Sequence, residues 1–165
     1  RALELLEWRR RSISKAKLRQ LFRCLPIKPG VRTLLEGAKE RGYKIAIVSQ
    51  APDFVLSIFY EKTGFRPDFE ASYQFQFDDE GLIKEVRFPY RDKKGFPSKV
   101  LAAKAFQRSI GAESEEIVAV GDHYNDVELL KWAGLAIAVG PHDPSLLEVA
   151  DKVVTEDLSE ILQYL

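Results

Sequence analysis

The sequence predicts an α/β fold, a parallel sheet flanked by helices, with a β-hairpin and a helical lead-in. Three observations predict it. Tyr43–Ser49 (YKIAIVS), residues 116–122 (EIVAVGD) and Leu135–Val139 (LAIAV) are β-rich apolar runs too short for helices, as strands buried on both faces are. Amphipathic segments separate them, and several of these stop at a glycine. Helix-period and strand-like segments thus alternate along the chain, the pattern of a layered domain with parallel strands.

Taken in order, residues 2–11 (ALELLEWRRR) and 15–25 (KAKLRQLFRCL) carry Leu3, Leu6 and then Leu18, Leu21, Phe22 and Leu25 at helical spacing. Ser14 precedes the second run as an N-cap. Pro26, Pro29 and Gly30 punctuate the chain, and a third helix over 31–41 stops at Gly42. The first strand follows at 43–49, then a helix over 52–63 ending at Gly64. Residues 70–77 and 82–88 alternate around Asp78-Asp79-Glu80-Gly81, which predicts a hairpin. A helix over 98–110 is closed by Gly111 ahead of the second strand. A helix over 125–133, the strand 135–139, Val153-Val154 and a helix over 157–164 complete the order. No repeat or long linker interrupts it, so the expected organisation is a helical piece, 1–25, ahead of a core domain, 26–165.

At 165 residues the chain is the size of one domain and large enough to fold without metals or disulfides. Hydrophobic residues at 45% and charged residues at 30% exclude collagen-like, low-complexity and wholly disordered classes. No apolar run approaches the ~18 residues of a membrane span, and the start does not read as a signal peptide. A single cysteine, Cys24, excludes an intrachain disulfide and points to a reducing, cytoplasmic compartment. There is no methionine, and Arg1 is a poor natural start, so a longer natural chain is expected. Net charge is zero but uneven: residues 1–41 hold 12 basic and 4 acidic residues, leaving 13 and 21 for the rest. Such a basic front suits either an anionic metabolite or a plainly solvated helix surface. No motif supports nucleic acid as a partner.

Ligands of parallel sheets bind at the carboxyl ends of the strands, and two strand ends here are polar. Ser49 ends IAIVS, where its hydroxyl and the following amides either face a phosphate or simply cap the next turn. Asp122 and Asp126 lie four apart across the strand-to-helix turn of IVAVGDHYND, with Gly121 allowing the chain to turn. Two neighbouring carboxylates either share a hard divalent cation, for which Mg²⁺ with one or two protein carboxylates is the natural choice, or cap the next helix. Lys93, Lys94, Lys99 and Lys104 all precede that strand, and spacing alone does not choose among them.

The strand-serine at 45–49, Lys99 and GDHYND followed by KWAGLAIAV resemble the second, third and fourth motifs of the haloacid dehalogenase superfamily, most closely its phosphoserine phosphatase-like branch. PIKPGVRTLLEGAKERGYKIAIVS and VAVGDHYNDVELLKWAGLAIAV carry the likeness, which runs from about Leu25 to Leu165. The resemblance implies a Mg²⁺-dependent phosphomonoester hydrolase acting on a small acidic phosphorylated metabolite. It implies Asp122 as metal ligand, Lys99 and Asp126 as catalytic residues, and Ser49, Gln50 and Asn125 as substrate-binding residues. It also implies that residues 1–25 are the end of a small helical cap.

Three departures qualify the likeness. Gln50 stands where the branch commonly has glycine, and His123 and Tyr124 replace small residues, so phosphoserine is one candidate substrate among several. The family's first motif, an apolar strand followed by Asp-x-Asp that carries the nucleophile, is absent from these 165 residues. Its strand would lie between those ending at Ser49 and Gly121. The expectation is therefore an aspartyl-phosphate enzyme whose nucleophile lies on a further segment, with these residues alone inactive and unstable. A catalytically inactive binding or regulatory relative is the alternative. An unrelated nucleotide-binding domain would need a G-x-G-x-x-G turn, which is absent.

Overall fold

The computed structural model describes residues 7–140 and 143–165, so the first part of the helix expected over 2–11 lies outside the described residues; residues 7–10 are helical. The elements that follow are α1 (Lys15–Arg23), α2 (Val31–Glu40), β1 (Ala46–Pro52), α3 (Asp53–Thr63), β2 (Phe69–Phe77) and β3 (Ile83–Arg87). After them come α4 (Lys99–Ile110), β4 (Val118–Gly121), α5 (Val127–Trp132), β5 (Leu135–Val139) and β6 (Lys152–Val154). The strands form two sheets, ordered β1-β2-β3 and β4-β5-β6. By its contacts the chain divides into two compact units.

One unit comprises the described part of Arg1–Ile27 with Ser49–Arg66 and Ser72–Pro89. The described part of the residues read as a helical cap therefore shares a core with α3 and the hairpin. Ser14 caps α1 as expected, its hydroxyl accepting from the Lys17 N–H. Leu18, Phe54, Phe75 and Ile83 are buried together, with Trp8, Phe22 and Phe77 against them. Phe54 meets Phe22 and Phe75 nearly edge-on at centroid separations of 5.8 and 5.4 Å, the arrangement that the ring quadrupoles favour. β2 and β3 pair antiparallel, as their period-two pattern requires. The basic front is partly neutralised from within. Arg19 and Arg23 both reach Glu61, at 2.6 and 3.1 Å, and Arg10 and Arg11 both reach Glu7. The hydrogen bond from Arg19, first among several causes, holds the Glu61 carboxyl below its ordinary value.

The other unit comprises Lys28–Val48, Pro67–Ala71 and Tyr90–Leu165. β4, β5 and β6 are parallel, with Gly121 beside Ala138 and Val139 beside Val154. β5 is buried along almost its whole length, which is why LAIAV lacks a polar face. One core, including Ala103, Leu129, Leu130 and Leu146, lies beside it, and another gathers Ile137, Val139, Val154 and Ile161. Gly111 closes α4 as expected, and Ser98, expected as the first helical residue, is its N-cap.

Three expectations need correction. The first strand begins at Ala46 and runs to Pro52, past Ser49. Residues 43–45 are drawn elsewhere: the Tyr43 N–H bonds back to the Ala38 carbonyl, and the Ile45 N–H to the Asp68 carboxylate. The helix expected over 125–133 opens as a 3₁₀ turn, Tyr124–Asp126, ahead of α5, because the Asp126 N–H closes on the His123 carbonyl. The final helix is a 3₁₀ segment, Leu158–Tyr164, with the Arg41 guanidinium on its Leu162 carbonyl.

β1 and β4 belong to different sheets. Between the elements of this second unit is an apolar cleft of about 480 Å³ lined by both residues 45–48 and residues 117–120, with Ala103 and Phe106 of α4 also in its wall.

Candidate active site

The site lies at the carboxyl ends of β4 and β5. Asp126 is the residue that organises it. Its side chain is 4% exposed, and its Oδ1 lies 2.5 Å from Nζ of Lys99, itself only 11% exposed. The other oxygen, Oδ2, accepts from the backbone N–H groups of Asp122 and His123, at 3.3 and 3.2 Å. A buried carboxylate of this kind needs several partners, and it has a cation and two amides. The glycine before the turn is what admits it: a Cβ at Gly121 would stand 2.5 Å from the Cβ of Asp126.

Lys99 is the first residue of α4, so the Ser98 cap that starts the helix also sets where the lysine begins. Among the four lysines left open by spacing, it is Lys99 that meets the Asp126 carboxylate. Its ammonium, aimed at the strand ends and held in place by a buried carboxylate, is suited to neutralising an incoming anion.

Asp122 behaves differently from Asp126. Its side chain is 52% exposed and pairs with Lys28, whose Nζ lies 3.2 Å from Oδ2 and 3.5 Å from the Gly140 carbonyl. The Asp122 carbonyl accepts from the Asp143 N–H, tying the turn after β4 to the segment after β5. Asn125 lies in the intervening 3₁₀ turn. The His123 and Tyr124 rings lie 4.3 Å apart with their planes tilted by 46°, and the His123 Nδ1 is buried with no hydrogen-bond partner among the described residues.

The donor chemistry fits a hard divalent cation. Among the described residues there is no cluster of three or more acidic, histidine or cysteine ligands. Mg²⁺ does not ask for one, since it commonly takes one or two carboxylates and leaves its remaining positions to water and substrate oxygens. Asp122 supplies an exposed carboxylate beside a backbone carbonyl, and a cation, the Lys28 ammonium, already rests on both.

Lys99, Asp122, Asn125 and Asp126 thus belong to one turn-and-helix arrangement of the second unit. Ser49 and Gln50 belong to the first unit, where the Ser49 hydroxyl accepts from the Ala51 N–H at 3.0 Å. Lys28 was not among the candidates drawn from the sequence. It sits between Pro26 and Pro29, in a segment that carries punctuation and part of the family likeness but no site residue by either reading, and it is 94 positions from its partner.

The family of haloacid dehalogenase-like hydrolases matches residues 94–160. A phosphoserine phosphatase of Mycobacterium tuberculosis is 30% identical over 141 residues, covering 86% of this chain and 33% of that protein. The phosphoserine phosphatase of Methanocaldococcus jannaschii is 32% identical over 141 residues, covering 82% of this chain and 62% of that one. The chain therefore spans from about a third to under two thirds of these curated relatives. A solved phospho-aspartyl intermediate analogue of phosphoserine phosphatase superposes with a TM-score of 0.80 at 28% identity, covering 93% of this chain and 71% of that one.

Proposed function

From a phosphoserine phosphatase-like chain of the haloacid dehalogenase superfamily, we infer the cation-and-lysine part of a Mg²⁺-dependent phosphomonoester hydrolase for small acidic phosphorylated metabolites. The observation that carries this reading is the buried Lys99–Asp126 pair set beside the exposed Asp122 carboxylate. The pair fixes an ammonium where a phosphoryl group's charge must be met, and Asp122 is left to hold the metal. Bound there, Mg²⁺ supplies charge neutralisation to the phosphoryl oxygens. Lys99 neutralises the same group from the α4 side, and Asp126 keeps its ammonium from swinging out to solvent. Ser49, Gln50 and Asn125 are the proposed substrate contacts.

The nucleophile of this reading is a carboxylate on a strand that fills the cleft lined by residues 45–48 and 117–120. The cleft is apolar and opens between strands of different sheets, which suits an apolar strand that pairs on both sides. That carboxylate attacks phosphorus as the ester P–O bond breaks, the leaving oxygen takes a proton from the second carboxyl of the same Asp-x-Asp motif, and water then cleaves the aspartyl-phosphate. The phospho-aspartyl intermediate analogue of the similar solved structure supports an aspartyl-phosphate in this reading.

Asp122→Asn in the full-length protein tests the reading. Turnover of a generic phosphomonoester should be nearly abolished and its dependence on Mg²⁺ weakened. Full activity in that variant excludes Asp122 as the metal ligand. A panel of phosphorylated amino acids, sugars and nucleotides tests the substrate class, and preference for a phosphoprotein over every metabolite refutes it.

A further inference from the structure

We propose that Lys28 is the resident counter-ion of Asp122, so that a divalent cation binds by exchange, displacing the Lys28 ammonium from the carboxylate. The inference rests on the reading of Asp122 as a metal ligand. Nζ of Lys28 lies 3.2 Å from Asp122 Oδ2 and 3.5 Å from the Gly140 carbonyl oxygen. Both oxygens belong to residues that end the adjacent strands β4 and β5 or follow them directly. Carboxylate and carbonyl oxygen are the hard donors that Mg²⁺ prefers, so the ammonium occupies a cation position.

The lysine is delivered there from a fixed base. Gly30 has a φ of 71°, and a side chain on it would land on the Asp157 carboxylate. The Leu158 N–H donates to the Pro29 carbonyl at 3.0 Å, and the Val31 N–H to the Lys28 carbonyl at 3.5 Å. The Lys28-Pro29-Gly30 turn is therefore clamped by the C-terminal segment, and only the lysine side chain remains to be ordered.

Magnitudes decide which lysine yields to a metal. The Lys99 and Asp126 side chains are only 11% and 4% exposed, and separating such a pair strands a charge in a poorly solvated place. Lys28 and Asp122 are 43% and 52% exposed, so water screens their attraction and solvates both groups once they part. The incoming cation thus displaces Lys28 and leaves Lys99 in place. The lysine contact has two effects. It neutralises Asp122 in the metal-free protein, and it weakens metal binding by the strength of the lysine contact.

Isothermal titration calorimetry of Mg²⁺ into the full-length protein, without substrate, tests this. Lys28→Met should tighten Mg²⁺ binding by about 3- to 10-fold, the range expected when a screened ion pair and its repulsion of the metal are removed. Lys28→Gln should do the same, and Lys28→Arg should stay within about twofold of the wild type. Unchanged or weaker Mg²⁺ binding in both Lys28→Met and Lys28→Gln overturns the proposal. Asp122→Asn separates the two levels. If it loses Mg²⁺ binding while the Lys28 variants match the wild type, only the exchange fails. If it binds Mg²⁺ as the wild type does, the metal-ligand reading falls and the exchange with it.

Discussion

Lys99→Met removes one member of a buried ion pair and leaves the other in place. Losing one partner of such a pair costs about 3–5 kcal/mol, because the remaining charge is stranded. Asp126 is not wholly stranded: Oδ2 still accepts from the Asp122 and His123 amides at 3.3 and 3.2 Å. Those two bonds are long, so they soften the loss without cancelling it, and the lower end of the range, about 3 kcal/mol, is expected. For a chain of this size 1 kcal/mol moves Tm by about 2–4 °C, so Lys99→Met should melt roughly 6–12 °C below the wild type. Asp126→Asn should cost a similar amount, since it leaves the Lys99 ammonium without its anionic partner. The double variant should cost clearly less than the two single losses together, because each single variant already breaks the same pair. Urea unfolding of the full-length proteins, followed by circular dichroism, gives all four values. In two further variants, turnover should fall by about 10²–10³ in Lys99→Ala and stay near wild type in Lys104→Ala. A Lys99→Met protein within about 0.5 kcal/mol of the wild type, with additive losses in the double variant, would refute the pair as a structural and electrostatic unit.

Gly121→Ala should lower stability by about 1–3 kcal/mol, because its Cβ would stand 2.5 Å from that of Asp126. If Asp126 positions Lys99, turnover in that variant should also fall by about 10²-fold, whereas a lowered Tm with unchanged kcat would separate the turn from catalysis. Asp157 predicts a pH dependence. The Ser159 hydroxyl, then the Ser159 amide, holds its carboxyl below the ordinary value of 3.8. A carboxyl depressed on folding adds stability that is complete well above 3.8 and disappears as pH falls through the folded value. Ser159→Ala should therefore lower the urea midpoint at pH 6 and approach the wild type as pH falls below 3.8; a gap that stays constant with pH would exclude the carboxyl as its source.

Elements specified by their own residues were legible in the sequence. α4 starts at the Ser98 cap and ends at Gly111, and the hairpin follows from alternation about Asp78–Gly81. The turn carrying Asp122 and Asp126 was legible as a turn, because a glycine ends the apolar run, and the structure closes Asp126 onto the Asp122 and His123 amides. What failed was set by distant partners. The start of β1 moved because Asp68 captures the Ile45 amide, and the last helix tightened to 3₁₀ geometry where Arg41 captures the Leu162 carbonyl. Lys28 was invisible for the same reason. A lysine between two prolines has no periodicity to read, and its meaning comes from a carboxylate on another element. The proline-glycine turn that fixes its backbone was the one local clue.

The clamp on Lys28-Pro29-Gly30 has a consequence in the order of synthesis. Its partners, Asp157 and Leu158, are among the final residues of these 165, while the lysine they hold in place comes near the beginning. A ribosome releases Asp122 long before it releases Asp157, so the carboxylate emerges before the turn that delivers its ammonium can lock. During that interval the nascent site carries its acidic residues without the Lys28 counter-charge. The Lys28–Asp122 ion pair is therefore complete only once the C-terminal segment has docked.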